Sequence, residues 1–358
     1  MKITTVGDGA HRCLAVIGYA SLVLITEFSV KAIVRHNYGT ADVLELQETP
    51  KPGPSENNML IRVCAAALNP LDWHLMRGAP GFLRLFTGVS KPKRIQLGVD
   101  VAGTVVAIGP GVRDFRPGDE VFGAVDGALA EYVCGSVSAV VRRPPNMTCE
   151  QAAAVPIAGL TALQALRDKG HLKAGNTVLI NGAAGGVGTF AVQIAKWMGA
   201  GVTGVCSRRN VDLVRGIGAD SVIDYTREDF GNGAEHYDVI FDLVGNRTLS
   251  DFRRVLKPKG IFIGCGGGGP DTPTSKLLIA MLKQTILGWF TSQKLVGILA
   301  RRNKADLELL GQLMASGRIK PVIDRKFGLA EVPDAIRYLE QGHARGKVVI
   351  MIGDSRQS

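Results

Sequence analysis

The chain has no Cys-x-x-Cys pair, and its six cysteines, at 13, 64, 134, 149, 206 and 265, are separated by long irregular gaps. Such spacing offers neither a zinc lobe nor a cycling dithiol, and 358 residues are too many for a small disulfide-stapled secreted domain. A reducing cytoplasm is the expected setting. No run of five or more cations occurs. The formal charge of +10, from 42 Lys and Arg against 32 Asp and Glu, is spread over scattered pairs such as Arg142-Arg143 and Arg253-Arg254. That distribution argues against a nucleic-acid stripe and suits a polyanionic cofactor. Low-complexity sequence and internal repeats are absent too. With 46% hydrophobic and 21% charged residues the composition is that of a globular protein with a large core. The apolar run from Cys13 to Ile25 follows Lys2 and Arg12, as in a signal-peptide core, but falls short of the ~20 residues that span a bilayer. The globular pattern begins at Val30-Lys31-Ala32-Ile33, so residues 1–29 are expected to be an extension, non-native or signal-like, and membrane contact is not expected.

From Lys31 to about Arg143 short β-branched runs such as Leu60 to Val63 and Val101 to Ile108 alternate with Gly and Pro, and helices are scarce. After about Ala152 strands alternate with amphipathic helices, the mark of βαβ units and a parallel sheet. Strands are expected at Asn176 to Asn181, Val202 to Cys206, Ser221 to Ile223, Val239 to Asp242 and, after a Pro258-Lys259-Gly260 turn, Ile261 to Cys265. Helices are expected over Thr189 to Met198 and Val211 to Ile217. The tail reads as a helix from Ala305 to Ala315, a strand at Val322-Ile323, a helix from Val332 to Gln341 and a strand from Lys347 to Ile352. The segment from Ser275 to Arg302 is apolar but interrupted by Lys276, Lys283 and Lys294, which suits a cleft cover or a subunit contact better than a membrane anchor.

The strongest chemical signal is Asn181-Gly182-Ala183-Ala184-Gly185-Gly186-Val187-Gly188, after an expected strand and at the opening of an expected helix. Glycines there let the backbone turn tightly and approach a pyrophosphate, whose charge the free N–H groups of the helix start stabilise. The spacing, Gly182-x-x-Gly185-x-x-Gly188, departs from the G-x-G-x-x-G fingerprint. Where an NAD site ends its second strand with an acid, this chain has Cys206-Ser207-Arg208-Arg209-Asn210. Two guanidinium groups without an acid suit a ribose 2′-phosphate, hence NADP(H).

The stretch from Gly182 to Lys196, GAAGGVGTFAVQIAK, resembles the signature of the zinc-free quinone oxidoreductase and zeta-crystallin branch of the medium-chain dehydrogenase/reductase superfamily, with Gln193 and Lys196 at its offsets. Ala67-Leu68-Asn69-Pro70-Leu71-Asp72, Leu97-Gly98-Val99-Asp100, Pro117-Gly118-Asp119-Glu120, Gly159-Leu160-Thr161-Ala162 and Gly346-Lys347-Val348-Val349-Ile350 agree with it. The resemblance implies an α/β fold with a GroES-like, β-rich catalytic domain from residues 30–154 and 297–358, clasping a Rossmann doubly wound parallel sheet from residues 155–296. It also implies a homodimer, joined through the edges of the Rossmann sheets. Zinc enzymes of the superfamily carry cysteine at the position of Asn69 and Gly-His-Glu at Gly98-Val99-Asp100. Valine cannot coordinate and asparagine is a poor zinc ligand, so no metal is expected.

What the resemblance implies for the site is Asn69 beside nicotinamide and substrate and Thr161 against the nicotinamide. Gly182, Gly185, Gly186, Val187 and Gly188 would lie at the pyrophosphate. Ser207, Arg208, Arg209 and Tyr225 would surround the 2′-phosphate, with Arg345 and Lys347 reaching for phosphates. His74 falls where zinc enzymes keep a proton-relay histidine, but a lone histidine is more often structural. His36, His171, His236 and His343 form no metal motif. Without a Lewis acid, reduction of a quinone or an α,β-unsaturated carbonyl by NADPH is easier to support than alcohol oxidation. The rival classes are a low-turnover NADPH-binding interaction or membrane-associated protein and, behind it, an NADP-dependent alcohol dehydrogenase. A short-chain reductase would need Tyr-x-x-x-Lys, and none of the six tyrosines has lysine four places on.

Overall fold

The structure, a computed structural model, describes residues 29–232, 235–266, 272, 275 and 292–352. The apolar run at 13–25 and most of the segment at 275–302 lie outside them. A hairpin of β1 (Ser29–Val34) and β2 (Glu45–Pro50) precedes a seven-stranded sheet. That sheet contains β3 (Asn58–Leu68), β4 (Asp100–Ile108), β5 (Glu120–Ala124), β6 (Tyr132–Ser136) and β7 (Val140–Arg142). It is completed from far along the chain by β14 (Ile323–Gly328) and β15 (Lys347–Met351), in the order β14-β15-β3-β4-β5-β7, with β6 on β3. The run at Leu60 to Val63 is thus the middle of an 11-residue strand, buried almost throughout because both its faces are covered. Ile33, Met59, Ile61, Val101 and Leu129 fill the core on this side. Helices are indeed few here: α1 (Pro70–Arg77), α2 (Arg84–Thr87) and, at the exit, α3 (Cys149–Ala153). The last begins at a Thr148/Gln151 capping box, which satisfies two backbone N–H groups reciprocally.

The second sheet is wholly parallel among its described strands: β8 (Thr177–Asn181), β9 (Gly201–Cys206), β10 (Ser221–Asp224), β11 (Tyr237–Asp242), β12 (Leu256–Gly264) and β13 (Lys294–Gly297). Its order, β10-β9-β8-β11-β12-β13, is that of the dinucleotide-binding doubly wound fold, with the order reversing between β8 and β11. Around it and between the sheets run α4 (Pro156–Gln164), α5 (Gly186–Trp197), α6 (Val211–Gly216), α7 (Leu249–Val255), α8 (Lys304–Ala315) and α9 (Val332–Glu340). Phe190 on α5 and Phe241 on β11 are fully buried, each worth about 1.5–3 kcal/mol of burial.

One expectation needs correcting. Pro258-Lys259-Gly260 does not separate two elements, because β12 starts before it at Leu256. The pairing with β11 slips there, from Tyr237 opposite Leu256 to Val239 opposite Ile261, so the three residues bulge out of a strand that continues. Likewise the expected strand at Val322-Ile323 extends to Gly328, parallel to β15.

Candidate active site

The glycine-rich loop joins the C-terminal end of β8 to α5. Gly182 has φ +87°, which an L side chain rarely adopts, and its N–H and that of Ala183 both donate to Val205 O, at 3.1 Å each. A Cβ on Gly188 would stand 2.1 Å from Gly182 O, so the helix start and the loop approach as closely as backbones can. Gly185 caps α5, and its first turn carries no acidic residue. By helix geometry the N–H groups of Gly186, Val187 and Gly188 have no partner within the helix. Gly185, Gly186 and Val187 are partly exposed. A cradle that excludes side chains and offers unpaired amides is what a dinucleotide pyrophosphate requires, so these residues fit the cofactor.

At the end of β9 the structure brings together the residues expected around the 2′-phosphate. Ser207 and the exposed Arg208 and Arg209 follow the strand, and Tyr225 N donates to Cys206 O at 3.1 Å, which sets the partly exposed Tyr225 ring beside them. From the far end of the chain Arg345 joins them, its Nη2 3.5 Å from Arg209 O, while Arg209 Nη2 donates to His343 O at 2.8 Å. Asp224, at the end of β10, is near enough to feel Arg208, and the Thr226 hydroxyl and amide hold its carboxylate below the usual range.

Asn69 sits 3% exposed at the N-cap of α1. Its N–H donates to Asp72 Oδ2 at 2.7 Å and its Nδ2 to Asp100 Oδ2 at 2.9 Å. Lys347 does not join the arginines. It is buried, and its Nζ donates to Asn69 Oδ1 at 2.6 Å and to Asp100 Oδ2 at 3.1 Å. Sheet register makes this meeting: β15 pairs Val348 with Leu68, and β4 pairs Asp100 with Ala67. Three neighbouring strands therefore end with Lys347, Asn69 and Asp100 side by side. Asp100 Oδ1 accepts from Ile157 N at 2.9 Å, in the first turn of α4. That helix carries Thr161, 6% exposed, whose hydroxyl donates to Ile157 O at 2.6 Å. Lys347 also touches the cofactor loop, since a Cβ on Gly186 would lie 3.2 Å from Lys347 Cδ.

Several residues of the site were not legible in the sequence. Asp242, at the end of β11, accepts from Asn181 Nδ2 at 2.8 Å and from the amides of Val244 and Gly245, tying the two strands at the switch point. Asn246 accepts from the same Asn181 nitrogen at 3.1 Å. An acid at the end of the fourth strand of a doubly wound pattern was the available signal. Asp100 was quoted only as a lost metal ligand, and nothing local to it announced a lysine almost 250 residues away. Gln193 and Lys196 turn out to be braces: Gln193 exchanges hydrogen bonds with the Lys320 backbone, and Lys196 pairs with Asp220. His74 donates from Nδ1 to Ala79 O at 2.7 Å and lies against Trp73, and burial lowers its pKa.

Together the two sheets and the glycine cradle define an oxidoreductase that takes a nicotinamide dinucleotide. The sequence matches the alcohol dehydrogenase GroES-like domain family over residues 55–151 and the zinc-binding dehydrogenase family over residues 217–350. It is 34% identical over 327 residues to the chloroplast envelope quinone oxidoreductase homolog of Arabidopsis thaliana, covering 87% of this chain and 95% of the relative. To the chloroplastic NADPH-dependent alkenal/one oxidoreductase of the same plant it is 33% identical, over 98% of this chain and 86% of the relative. The solved structure of the quinone oxidoreductase from Coxiella burnetii superposes with a TM-score of 0.78 at 34% identity, over 91% of this chain and all of that one. The chain belongs to the medium-chain dehydrogenase/reductase superfamily, in its quinone oxidoreductase-like branch.

The zinc in the second family's description does not suit the residues present. Asn69, Val99 and Asp100 supply one amide and one carboxylate, and the Lys347 ammonium already binds both. Among the described residues no group of three His, Cys, Asp or Glu side chains is placed to hold a metal. Nor is any described helix long and apolar enough to cross a membrane.

Proposed function

We propose that the protein is an NADPH-dependent reductase of quinones and α,β-unsaturated carbonyls that works without a metal. The observation that carries this is the pairing at Asn69 and Asp100. Asn69 Oδ1 and one Asp100 oxygen are taken up by Lys347 and one Asn69 amide hydrogen by Asp100, so the site offers at most a neutral amide N–H and no electrophile of the strength that stabilises a free alkoxide. Acceptors that take hydride into a conjugated system need less help. The relatives whose names specify quinone and alkenal/one substrates support the same acceptor class.

When bound, NADPH supplies the hydride. The cradle from Gly182 to Gly188 holds its pyrophosphate, and Ser207, Arg208, Arg209, Tyr225 and Arg345 take the 2′-phosphate, which three exposed guanidinium groups, outnumbering the nearby carboxylates of Asp224 and Asp324, favour over an unphosphorylated ribose. Asn69 and Thr161 line the nicotinamide end, where Asn69 has a second amide hydrogen only weakly used, 3.4 Å from Ala67 O. That hydrogen is available to an acceptor oxygen as charge develops on it. Water supplies the proton to the enolate or to the hydroquinone monoanion that hydride transfer leaves.

In the same reading the catalytic domain comprises residues 30–154 and 297–358 and the cofactor domain residues 155–296, in a cytoplasmic protein. Two copies join through β13, one of the two edge strands of the parallel sheet among the described residues, whose outer backbone groups can pair with its symmetry mate. Sedimentation as a monomer at micromolar concentration refutes the dimer.

The test of function is anaerobic oxidation of NADPH and NADH at 340 nm against quinones, enones and simple ketones, with and without EDTA. Turnover of quinone or enone that prefers NADPH and ignores the chelator is expected. Chelator-sensitive alcohol oxidation overturns the reading, as does tight NADPH binding with no turnover of any acceptor.

A further inference from the structure

Lys347 and Asp100 are 2% and 0% exposed, so the Asn69 amide is held by a fully buried ion pair. An ammonium only donates, and that fixes which end of the amide faces it. Oδ1 points to Lys347 Nζ and Nδ2 to Asp100 Oδ2. The reversed amide would set N–H against ammonium and oxygen against carboxylate, two repulsions in a site buried from bulk solvent.

We infer that Lys347 is a positioning residue, a built-in cation in the place of a metal, which orients the Asn69 amide toward the reacting groups rather than binding cofactor phosphate. It also neutralises Asp100, whose other oxygen fixes the start of the helix that carries Thr161. Its stem packs under Gly186, so one side chain links the cofactor loop to both residues at the nicotinamide end. Lysine suits this role because its four-carbon stem spans from β15 to Asn69 while filling apolar space. The inference rests on the reductase reading for the kinetic part of its test only.

Removing the ammonium alone leaves Asp100 buried without a counter-charge, so Lys347→Met is paired with Lys347→Met/Asp100→Asn, which removes both charges. The double variant is expected to melt within a few degrees of the wild type and to bind NADPH within about 3-fold, yet to lose about 10- to 100-fold in kcat with KM for the quinone little changed, the scale on which misplaced groups cost rate. Recovery of wild-type kcat in the double variant reduces Lys347 to charge neutralisation and overturns the inference. So does a large rise in the NADPH Kd of Lys347→Met with kcat intact at saturation, the behaviour of a phosphate ligand. A readout independent of any substrate is the side-chain amide of Asn69 in 15N-labelled protein, assigned by its loss in Asn69→Ser. Slow hydrogen exchange in the wild type and fast exchange in the double variant are expected; equal rates sink the inference even if quinone reduction is confirmed. Conversely, wild-type protein that reduces no quinone or enone but shows the exchange difference fails the reductase reading and leaves the positioning role standing.

Discussion

The two ends of the cofactor site are built on opposite electrostatic plans. At the end proposed for the nicotinamide one cation, Lys347, is buried and matched by one carboxylate and one amide. At the end proposed for the adenosine three cations, Arg208, Arg209 and Arg345, are exposed and gathered against two carboxylates, Asp224 and Asp324. The buried end is complete before anything binds and serves to hold geometry. The exposed end has surplus charge and serves to recognise a ligand that brings its own. Position in low dielectric makes the first costly to break, whereas solvent makes the second cheap to alter.

Breaking the buried end therefore has the largest effect. Asp100→Ala strands the Lys347 ammonium without a counter-ion and is expected to cost about 3–5 kcal/mol of stability, seen as a lowered urea midpoint. An unchanged midpoint would mean that Lys347 finds water and that the pair is not closed as described. At the exposed end, Arg208→Ala combined with Arg209→Ala should leave the fold intact and raise the NADPH Kd by about 10- to 100-fold, the loss of one or two charge-assisted bonds. NADH binding should not move. If both cofactors weaken equally, the arginines serve the adenosine at large and not its 2′-phosphate.

An effect that depends on pH sharpens the contrast. Burial pushes the Asp72 carboxyl up to about 7, with nearby Asp100 adding to the shift and the Asn69 backbone N–H and Lys347 opposing it. The folded protein thus keeps a proton that the unfolded chain releases in the ordinary carboxylate range. From that range up to about 7 the folded state binds more protons, so this group's contribution to stability falls as pH rises and levels off above 7. Asp72→Asn should therefore gain on the wild type in melting temperature as pH rises through that window and hold its gain beyond it. A difference that is flat with pH would show that Asp72 is ionised throughout.

How much of this was legible beforehand differs between the same two ends. The cofactor loop and the arginines are local in sequence: Gly182 to Gly188 is one turn, and Ser207 to Arg209 follows its strand directly, so period and spacing located them. The resemblance implies that Arg345 and Lys347 both reach for the cofactor's phosphates. In β15 and the turn before it they part company, Arg345 remaining exposed beside Arg209 and Lys347 turning into the sheet, because register with Leu68 decides where each one goes. Pairing between strands hundreds of residues apart has no local signal, and the network at Asn69 was hidden for that reason. The misjudged turn at Pro258 has a similar origin. Proline and glycine mark a break in pairing, but only the neighbouring strand decides whether the break is a turn or a bulge.

The seating of β15 between β14 and β3 has a consequence for the order in which the molecule is made. The parallel sheet draws its described strands from residues 177–297 and can assemble as soon as those have emerged during synthesis. The Asn69 amide, by contrast, has waited through 278 further residues before its lysine arrives. Throughout that interval the nascent chain can carry the glycine cradle while the Lys347–Asn69–Asp100 network is still unmade.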